Sequence, residues 1–526
     1  MNFLIQIKIS VNAILISCLL LELRARLSED FVEVLITQGT RTTTEFHAAI
    51  IRNKTNTFKR HTRNNLNIAM IMFDSQSHSN VQRYLKRTYN WLKNDPNTHI
   101  FKGHTIVGDG TTAQLIAMLT NLKERVAPEA RRGHKNAEPV DKYPFVFKQL
   151  KNEGYVTTYA EDVIGNAAFQ YRLLGFRDIP TEKYLRTFWM KAFRPLVKTH
   201  LRCVHQFSFA YLKNYFKIFR EEKKFIFLNN SPIGHNTLES IALADNDTYD
   251  LYQFLQKGGF LENTVIMLFG DHGPRNSAFR SKLTGKLEER LPFLSLTVPS
   301  WFRVSNIPYH LYLKENTNVL TSHFDIYATI RHLMNLDTNQ TQYNSGKSLL
   351  SSIDPIQRTC ESAGVESHWC PCLEYTNIDV KSDQVLQIVK RVIEFMNELL
   401  CQINETCKKC STLILNKMIK AGKRSPNEIV QVFSGTKRNS ICDSCRVTTN
   451  EKRATRSKKT LYEVVFEVSP SGGLFEATVL VSFDDEKHLS DVQVNERSLS
   501  RINSYGDQPK CIAGMFPHLR KYCYCK

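Results

Sequence analysis

The chain alternates short runs of apolar and β-branched residues with segments of helical periodicity. The runs LNIAMIMFD, GYVTTYAED, KKFIFLNNS and NTVIMLFGD all end in polar or acidic residues. Such runs are typical of strands that are buried on both faces of a parallel sheet. NVQRYLKRTYNWLKN, TAQLIAMLTNL and SHFDIYATIRHLMNL carry apolar residues at helical spacing. We therefore predict a doubly wound, mostly parallel α/β sheet flanked by helices over residues 66–353, with ligands at the carboxyl ends of its strands.

The pattern changes beyond residue 353. SDQVLQIVKRVIEFMNELL has the apolar stripe of an amphipathic helix, and a cysteine-rich segment and a basic linker over 423–459 follow it. TLYEVVFEVSPSGGLFEATVLVSFDD alternates apolar and polar residues on both sides of a Pro-Ser-Gly-Gly turn, which predicts a β-hairpin. Residues 354–526 are therefore predicted to form a small, Cys-rich α+β module.

The first residues have the pattern of a secretory leader. Lys8 is followed by an apolar stretch over 13–21, which is too short for a membrane span of about 20 residues but has the size of a signal-peptide core. Residues 1–24 are predicted to be a signal peptide or, because small residues at a cleavage site are scarce, an uncleaved signal anchor. A polar lead-in over 25–65 follows, irregular from residue 41. The protein is then secreted or lumenal, or anchored to the membrane by its leader.

The cysteines fit the same compartment. Of 13 cysteines, eleven lie between Cys360 and Cys525. This concentration favours disulfide bonds, although close pairs such as Cys442 and Cys445 leave a structural metal site as an alternative. Glycosylation sequons agree with a secretory route and occur at Asn53, Asn246, Asn339 and Asn404.

The net charge of +19 raises the question of a nucleic-acid partner. The basic residues are spread over 24–63, 142–220 and 408–459, and no zinc-finger, helix-turn-helix or RNA-binding signature gathers them. Nucleic acid is therefore not expected as a partner. Attraction to an anionic glycan or membrane surface is favoured instead.

Four polar residues are predicted on one edge of the sheet: Asp74, Thr111, Asp271 and His272. Each alone has an ordinary explanation, such as a helix N-cap or a strand end. Together, two carboxylates and an imidazole suit a divalent ion such as Zn²⁺ or Mn²⁺. A hydroxyl beside such an ion becomes a nucleophile, and the N–H groups of a helix N-terminus hold an anionic oxygen. The set predicts a site for transfer of phosphoryl or sulfuryl groups.

Several stretches carry a family resemblance over roughly residues 67–337. NIAMIMFDSQSHSN, VGDGTTAQLIAMLTN, GYVTTYAED and TVIMLFGDHGPR resemble, in order, motifs of the alkaline phosphatase-like/sulfatase-like superfamily and, within it, of the DUF229 family. The resemblance implies an alkaline phosphatase-like fold with Thr111 as nucleophile and Thr112 as second choice. It also implies one metal ion held by Asp74, Asp271 and His272, with Thr111 as fourth ligand.

Two departures from the superfamily pattern narrow the expected chemistry. SPIGH places Ser231 where two-metal members carry an acid, which favours one metal, as in lipoteichoic acid synthases and phosphoethanolamine transferases. His235 of the same motif is then expected to contact the substrate's anionic group or to protonate the leaving group. Arg275 is expected to bind a non-bridging oxygen. The sulfatase motif Cys-x-Pro-Ser-Arg is absent, which favours phosphate esters over sulfate esters.

The sequence thus predicts a metal-dependent hydrolase or transferase of phosphate esters that uses one Zn²⁺ or Mn²⁺ ion. Two alternatives stay open: a non-catalytic secreted binding or matrix protein that keeps the fold, and a sulfatase-like enzyme that acts on glycans. Three further candidates are Glu161 and Asp162, as supporting acids or helix caps, and Lys286, as a balance for substrate charge.

Overall fold

The structure is a computed structural model that describes residues 4–11, 30–38, 40–52, 66–200, 204–235, 237–275, 278–334, 345–426, 459–484 and 488–526. Its strands, in chain order, are β1 Leu4–Val11, β2 Phe31–Gln38, β3 Arg41–Ala48, β4 Asn67–Phe73, β5 Thr98–Ile100, β6 His104–Thr105, β7 Val156–Glu161, β8 Lys183–Tyr184, β9 Lys224–Asn230, β10 Thr264–Phe269, β11 Leu294–Thr297, β12 Thr321–Ser322, β13 Leu373–Asn377, β14 Ile414–Pro426, β15 Lys459–Ser469, β16 Gly473–Phe483, β17 Leu489–Gln493 and β18 Leu499–Arg501. Its α-helices are α1 His78–Tyr84, α2 Lys86–Asn94, α3 Gly110–Thr120, α4 Val146–Asn152, α5 Arg186–His200, α6 Val204–Ile218, α7 Asp245–Lys257, α8 Leu283–Arg290, α9 Ser300–Ser305, α10 Ile307–Asn316, α11 His323–Leu333, α12 Asp383–Cys401 and α13 Asn404–Lys409.

The first region is built on a seven-stranded sheet with the order β5-β11-β10-β4-β9-β7-β8. Strands β10, β4, β9, β7 and β8 are parallel, and β11 runs against both of its neighbours. Alternate residues of β4 enter two separate apolar clusters, with Met70 in one and Ile71 in the other. Helices cover both faces of the sheet, so the predicted mostly parallel α/β architecture is confirmed.

The helical segment after β4 is divided in two at Leu85. The backbone of Leu85 leaves the helical region, with φ −96° and ψ 52°, and separates α1 from α2. The Asp245 carboxylate accepts hydrogen bonds from the N–H groups of Arg87 and Thr88, each at 2.8 Å. A side chain from another part of the chain therefore caps the new N-terminus and stabilises the break.

The prediction of an irregular lead-in from residue 41 is wrong, because strand β3 begins there and pairs with β2. Its sequence, RTTTEFHA, is rich in β-branched threonine, and Phe46 and Ala48 pack against an apolar cluster of the first region. Residues 4–11 of the predicted leader form β1, which pairs with β2 in parallel. The rest of the leader lies outside the described residues, as do Asn53, Asn339 and most of the basic linker.

The second region is a six-stranded sheet, with β13-β14-β15-β16-β17 in order and β18 beside β16. The apolar face of α12 packs against it, and β15 and β16 form the predicted hairpin. Four disulfides join Cys360–Cys370, Cys401–Cys407, Cys410–Cys523 and Cys511–Cys525. The prediction of a disulfide-bonded α+β module is confirmed for these eight cysteines; Cys442 and Cys445 lie outside the described residues. Among the residues that the structure describes, none of the helices is both long and apolar enough to cross a bilayer.

A buried cluster of charges joins the two regions. Lys286 of α8 lies against Glu463 of β15 and 3.2 Å from Glu476 of β16. Arg290, also on α8, lies 2.7 Å from Glu476, and Arg280 pairs with Glu289 beside it. Lys286 therefore joins the second sheet to the first region. Its charge is engaged by these two glutamates, so it does not serve to balance substrate charge.

Candidate active site

Asp74, Asp271 and His272 meet at the carboxyl edge of the central sheet. Asp74 directly follows β4, and Asp271 follows the neighbouring parallel strand β10. His272 Nε2 lies 3.3 Å from Asp271 Oδ2 and 3.9 Å from Asp74 Oδ1. One donor atom from each residue lies within 4.8 Å of the other two. All three side chains are buried. The strand ends thus gather two carboxylates and an imidazole at one point.

Burial shapes the charge of this group. Desolvation raises the pKa of Asp74, and repulsion from Asp271 raises it further. Desolvation also raises the pKa of Asp271 and lowers that of His272 to about 4. Asp271 Oδ2 has no hydrogen bond of normal geometry within the described part of the chain. A buried acid pair beside a neutral imidazole is the donor set of a divalent cation, so these residues fit the predicted metal.

Thr111 adds a hydroxyl to the same group. It is the second residue of α3 and is half-buried, and interaction of its hydroxyl with the Asp271 carboxylate opposes the rise in the pKa of that acid. The adjacent Thr112 is buried and donates instead to the Ala168 carbonyl at 2.8 Å. Of the two predicted alternatives, it is the Thr111 hydroxyl that faces the buried carboxylate.

The first turn of α3 lies at the same group of residues. Asp109, not Thr111, occupies the N-cap position, and its side chain makes no capping hydrogen bond. Gly110 has φ 70°, and a Cβ there would collide with the Arg275 guanidinium. A glycine at this position is therefore required by both the turn and the close approach of an arginine.

A cleft of about 320 Å³ opens above this group. Its lining includes Asp74, Thr111 and His272, and also both residues that were predicted to bind substrate. His235 is exposed at the cleft, and its charge lowers the pKa of Asp74. Arg275 also lines the cleft, and its Nη2 is 2.8 Å from Asp109 Oδ1.

The remaining predicted acids support the site from beneath. Glu161 accepts hydrogen bonds from Ala168 N at 2.8 Å and Asn229 Nδ2 at 2.9 Å. It thereby positions Ala168, whose carbonyl accepts the hydrogen bond from Thr112. Asp162 accepts a hydrogen bond from Ser231 N at 2.8 Å. Both carboxyls are buried, and burial raises the pKa of Glu161 to about 7. They position neighbouring groups and do not line the cleft.

Ser231 occupies the position where an acid was expected. Its hydroxyl donates to Asp74 Oδ2 at 2.6 Å, while Ser75 Oγ donates to Asp74 Oδ1 at 3.0 Å. Both Asp74 oxygens thus have a hydroxyl partner, and position 231 supplies a hydroxyl where the sequence resemblance led us to expect a carboxylate.

The sequence did not reveal that the far end of the chain reaches this cleft. Ser504, Tyr505, Gly506 and Arg520 line it from the second region, and Arg172 and Tyr171 line it from the loop after β7. The segment HLRKYCYC is rich in basic and aromatic residues, which is the one signal that could have pointed to these positions. Nothing in a linear pattern states that this segment folds back over a site whose residues, Asp74 to His272, come about 250 to 450 positions earlier.

The family follows from the sequence as a whole. The profile of the family described as "Protein of unknown function (DUF229)" matches residues 3–419. The chain belongs to the DUF229 family. The predicted membership is thereby confirmed. No curated protein matches the DUF229 chain significantly in sequence.

Several solved structures are similar to this DUF229 protein. The C-terminal periplasmic domain of EcEptC from Escherichia coli is 15% identical, with 56% of this chain and 88% of that chain covered and a TM-score of 0.38. The lipoteichoic acid synthase LtaP from Listeria monocytogenes is 14% identical, with coverages of 56% and 79% and a TM-score of 0.38. The PsFucS1 sulfatase from Pseudoalteromonas sp. is 12% identical, with coverages of 59% and 74% and a TM-score of 0.38. Similarity of this degree says nothing about chemistry.

Proposed function

We propose that this DUF229 protein is a metal-dependent hydrolase or transferase of phosphate esters with Thr111 as its nucleophile. The observation that supports this most directly is the gathering of Thr111, Asp74 and His272 in the lining of one cleft, with the Asp271 carboxylate 3.3 Å from His272 and close enough to the Thr111 hydroxyl for that hydroxyl to lower its pKa. A structural threonine at the start of a helix has no need of a buried, electron-rich donor set next to its hydroxyl. A nucleophile does, because it must lose its proton near neutral pH.

Asp74, Asp271, His272 and Thr111 would hold the metal ion, with Zn²⁺ and Mn²⁺ as the best matches to their oxygen and nitrogen donors. When bound, such an ion lowers the pKa of an adjacent hydroxyl and offsets negative charge that develops on phosphorus-bound oxygens. The Ser231 hydroxyl on Asp74 supports a single ion.

The chain's own groups divide the remaining work. The Thr111 hydroxyl lies beside the Asp271 carboxylate and in the lining of the cleft, and its oxygen attacks phosphorus. The uncapped first turn of α3 supplies backbone N–H groups for a non-bridging oxygen. The Thr111 hydroxyl loses its proton to water as the new Thr111 O–P bond forms, the bond to the leaving oxygen breaks, and His235 at the cleft donates a proton to that oxygen. Water, or the hydroxyl of an acceptor, then displaces Thr111 from phosphorus and gives its proton to His235, and Thr111 takes a proton back from water.

A covalent phosphothreonine is the expected signature of this route. We expect acid quenching during turnover of bis(4-nitrophenyl) phosphate, after one nitrophenolate has left, to leave a 4-nitrophenyl phosphoryl group on the α3 peptide at Thr111, detected by tandem mass spectrometry. In Thr111→Ser the label should move to the new serine. Turnover with the label on Thr112, or with no labelled peptide at all, would contradict the proposed nucleophile.

Metal content gives an independent test. Protein purified from a secretory host is expected to carry near-stoichiometric zinc or manganese by atomic emission. Loss of a residue that hydrogen-bonds to a metal ligand typically weakens metal binding by roughly 10- to 100-fold. Asp271→Asn should weaken it by more than that, because it removes a carboxylate ligand itself. Asp491→Asn, a change at an exposed acid of β17, serves as the matched control.

The outcome that would favour a non-catalytic binding protein is equally definite. It is a wild-type chain that takes up neither zinc nor manganese and has no affinity for vanadate.

A further inference from the structure

Arg520 has an unusual position in the cleft wall. Its guanidinium stacks over the rings of Tyr171 and Tyr505, 4.2 Å and 5.4 Å from their centroids. Among the described residues it takes part in no hydrogen bond or ion pair, although it is half-buried. The two rings cover the faces of the guanidinium and fix its direction, so its N–H donors stay available at the edge.

The surroundings of Arg520 carry more positive than negative charge. Arg275 and Arg172 lie beside it in the cleft wall and are held by Asp109, at 2.8 Å and 3.5 Å. Lys521 lies 3.7 Å from the same carboxylate. The cationic groups together, in spite of burial, keep the pKa of Asp109 well below its usual range.

The acids near this group do not balance it. Besides Asp109, Glu496 acts on Lys521, and Glu289 and Asp271 act on Arg275. Nine arginine and lysine side chains but only five acids line the cavity to which Arg520 and Lys521 belong, so positive charge is in excess among these described residues. Positive charge that is half-buried, oriented and in excess is costly unless an anion accompanies it.

The same residues stand between two cavities. Arg172, Arg275, Tyr505 and Arg520 line both the cleft above Thr111 and a second cavity of about 160 Å³. A ligand that reacts at Thr111 and extends from the cleft toward the second cavity therefore passes these arginines.

We infer that Arg520, with Arg172, forms a second anion subsite for a phosphate, sulfate or carboxylate group on the substrate, separate from the phosphate that reacts at Thr111 beside Arg275. This inference rests on the proposed function and names the class of its substrate: an ester that carries two anionic groups. The second region of the chain then contributes specificity, because Arg520 and Tyr505 belong to the segment that the disulfides Cys410–Cys523 and Cys511–Cys525 hold over the cleft.

The test is equilibrium binding, which needs no turnover. Isothermal titration calorimetry on the full chain with added Mn²⁺ would compare a series of α,ω-alkanediol bisphosphates with alkyl monophosphates of the same lengths. One bisphosphate of fitting length is expected to bind roughly tenfold or more tightly than its monophosphate, as one charge-assisted contact implies. Arg520→Gln should remove most of that gain and should weaken the bisphosphate far more than the monophosphate.

Two further variants make the result specific. Arg520→Lys keeps the charge and should retain part of the gain, and Arg391→Gln, a change in an exposed ion pair on α12, should leave it intact. A bisphosphate gain that is absent, or that survives Arg520→Gln, overturns the subsite while the reacting centre stands. If neither ligand binds, the anion pocket of the proposed function fails as well.

Discussion

Replacing Thr111 with alanine is expected to lower kcat/KM for an aryl phosphodiester by roughly four orders of magnitude or more, as loss of a nucleophile does in other covalent mechanisms. The variant removes only a half-buried hydroxyl and methyl group at the second position of α3, where alanine is a good helix former. Secretion, circular dichroism and thermal stability should therefore stay close to the wild type. The measurement is steady-state hydrolysis of bis(4-nitrophenyl) phosphate with saturating metal.

Two further variants distinguish loss of the reaction from loss of the fold. Thr111→Ser keeps a hydroxyl and should retain measurable turnover. Thr112→Ser keeps the hydroxyl that donates to the Ala168 carbonyl and should leave kcat/KM near the wild-type value. Full activity in pure Thr111→Ala protein would refute Thr111 as nucleophile.

The sequence could predict how the sheet gathers its polar residues, because the rule is local. A run of apolar residues predicts each buried strand, and parallel strands bring their carboxyl ends to one edge of the sheet. Asp74 and Asp271 follow β4 and β10, which are hydrogen-bonded neighbours, so their meeting follows from topology. The choice of Thr111 over Thr112 needed the resemblance, and the structure adds that Thr112 is engaged by a backbone carbonyl.

The role of the second region could not be predicted, since it depends on contacts between distant segments. Glu463 and Glu476 stand in strands that alternate apolar and polar residues, a pattern that predicts a solvated face. In the structure both are buried, because α8 of the first region covers that face. The same packing brings Arg520 and Tyr505 to the cleft. Sequence periodicity reports that a face is polar, but not whether water or another domain covers it.

Glu476→Gln is expected to destabilise the protein by about 3–5 kcal/mol, the usual result of removing one partner from a buried ion pair. The Glu476 side chain is 2% exposed and lies 2.7 Å from Arg290 and 3.2 Å from Lys286. Burial alone would raise the pKa of Glu476, but Lys286, Arg280 and Arg290 hold it well below its usual range, so the group is an anion in the fold. Glutamine keeps the shape and leaves those cations without their central counter-charge.

Urea unfolding followed by tryptophan fluorescence would measure the loss, because the Trp369 ring lies 6.0 Å from the Arg290 guanidinium and reports on this interface. Glu398→Gln is the matched control: Glu398 pairs with Arg391 at 2.8 Å on the exposed side of α12, where a salt bridge contributes less than about 1 kcal/mol. If the two substitutions lowered the free energy of unfolding equally, the cluster would not be what joins the regions. Glu476→Gln should also weaken the contact between the second sheet and α8. Because that contact brings Arg520 to the cleft, activity toward esters that carry a second phosphate should fall in the same variant.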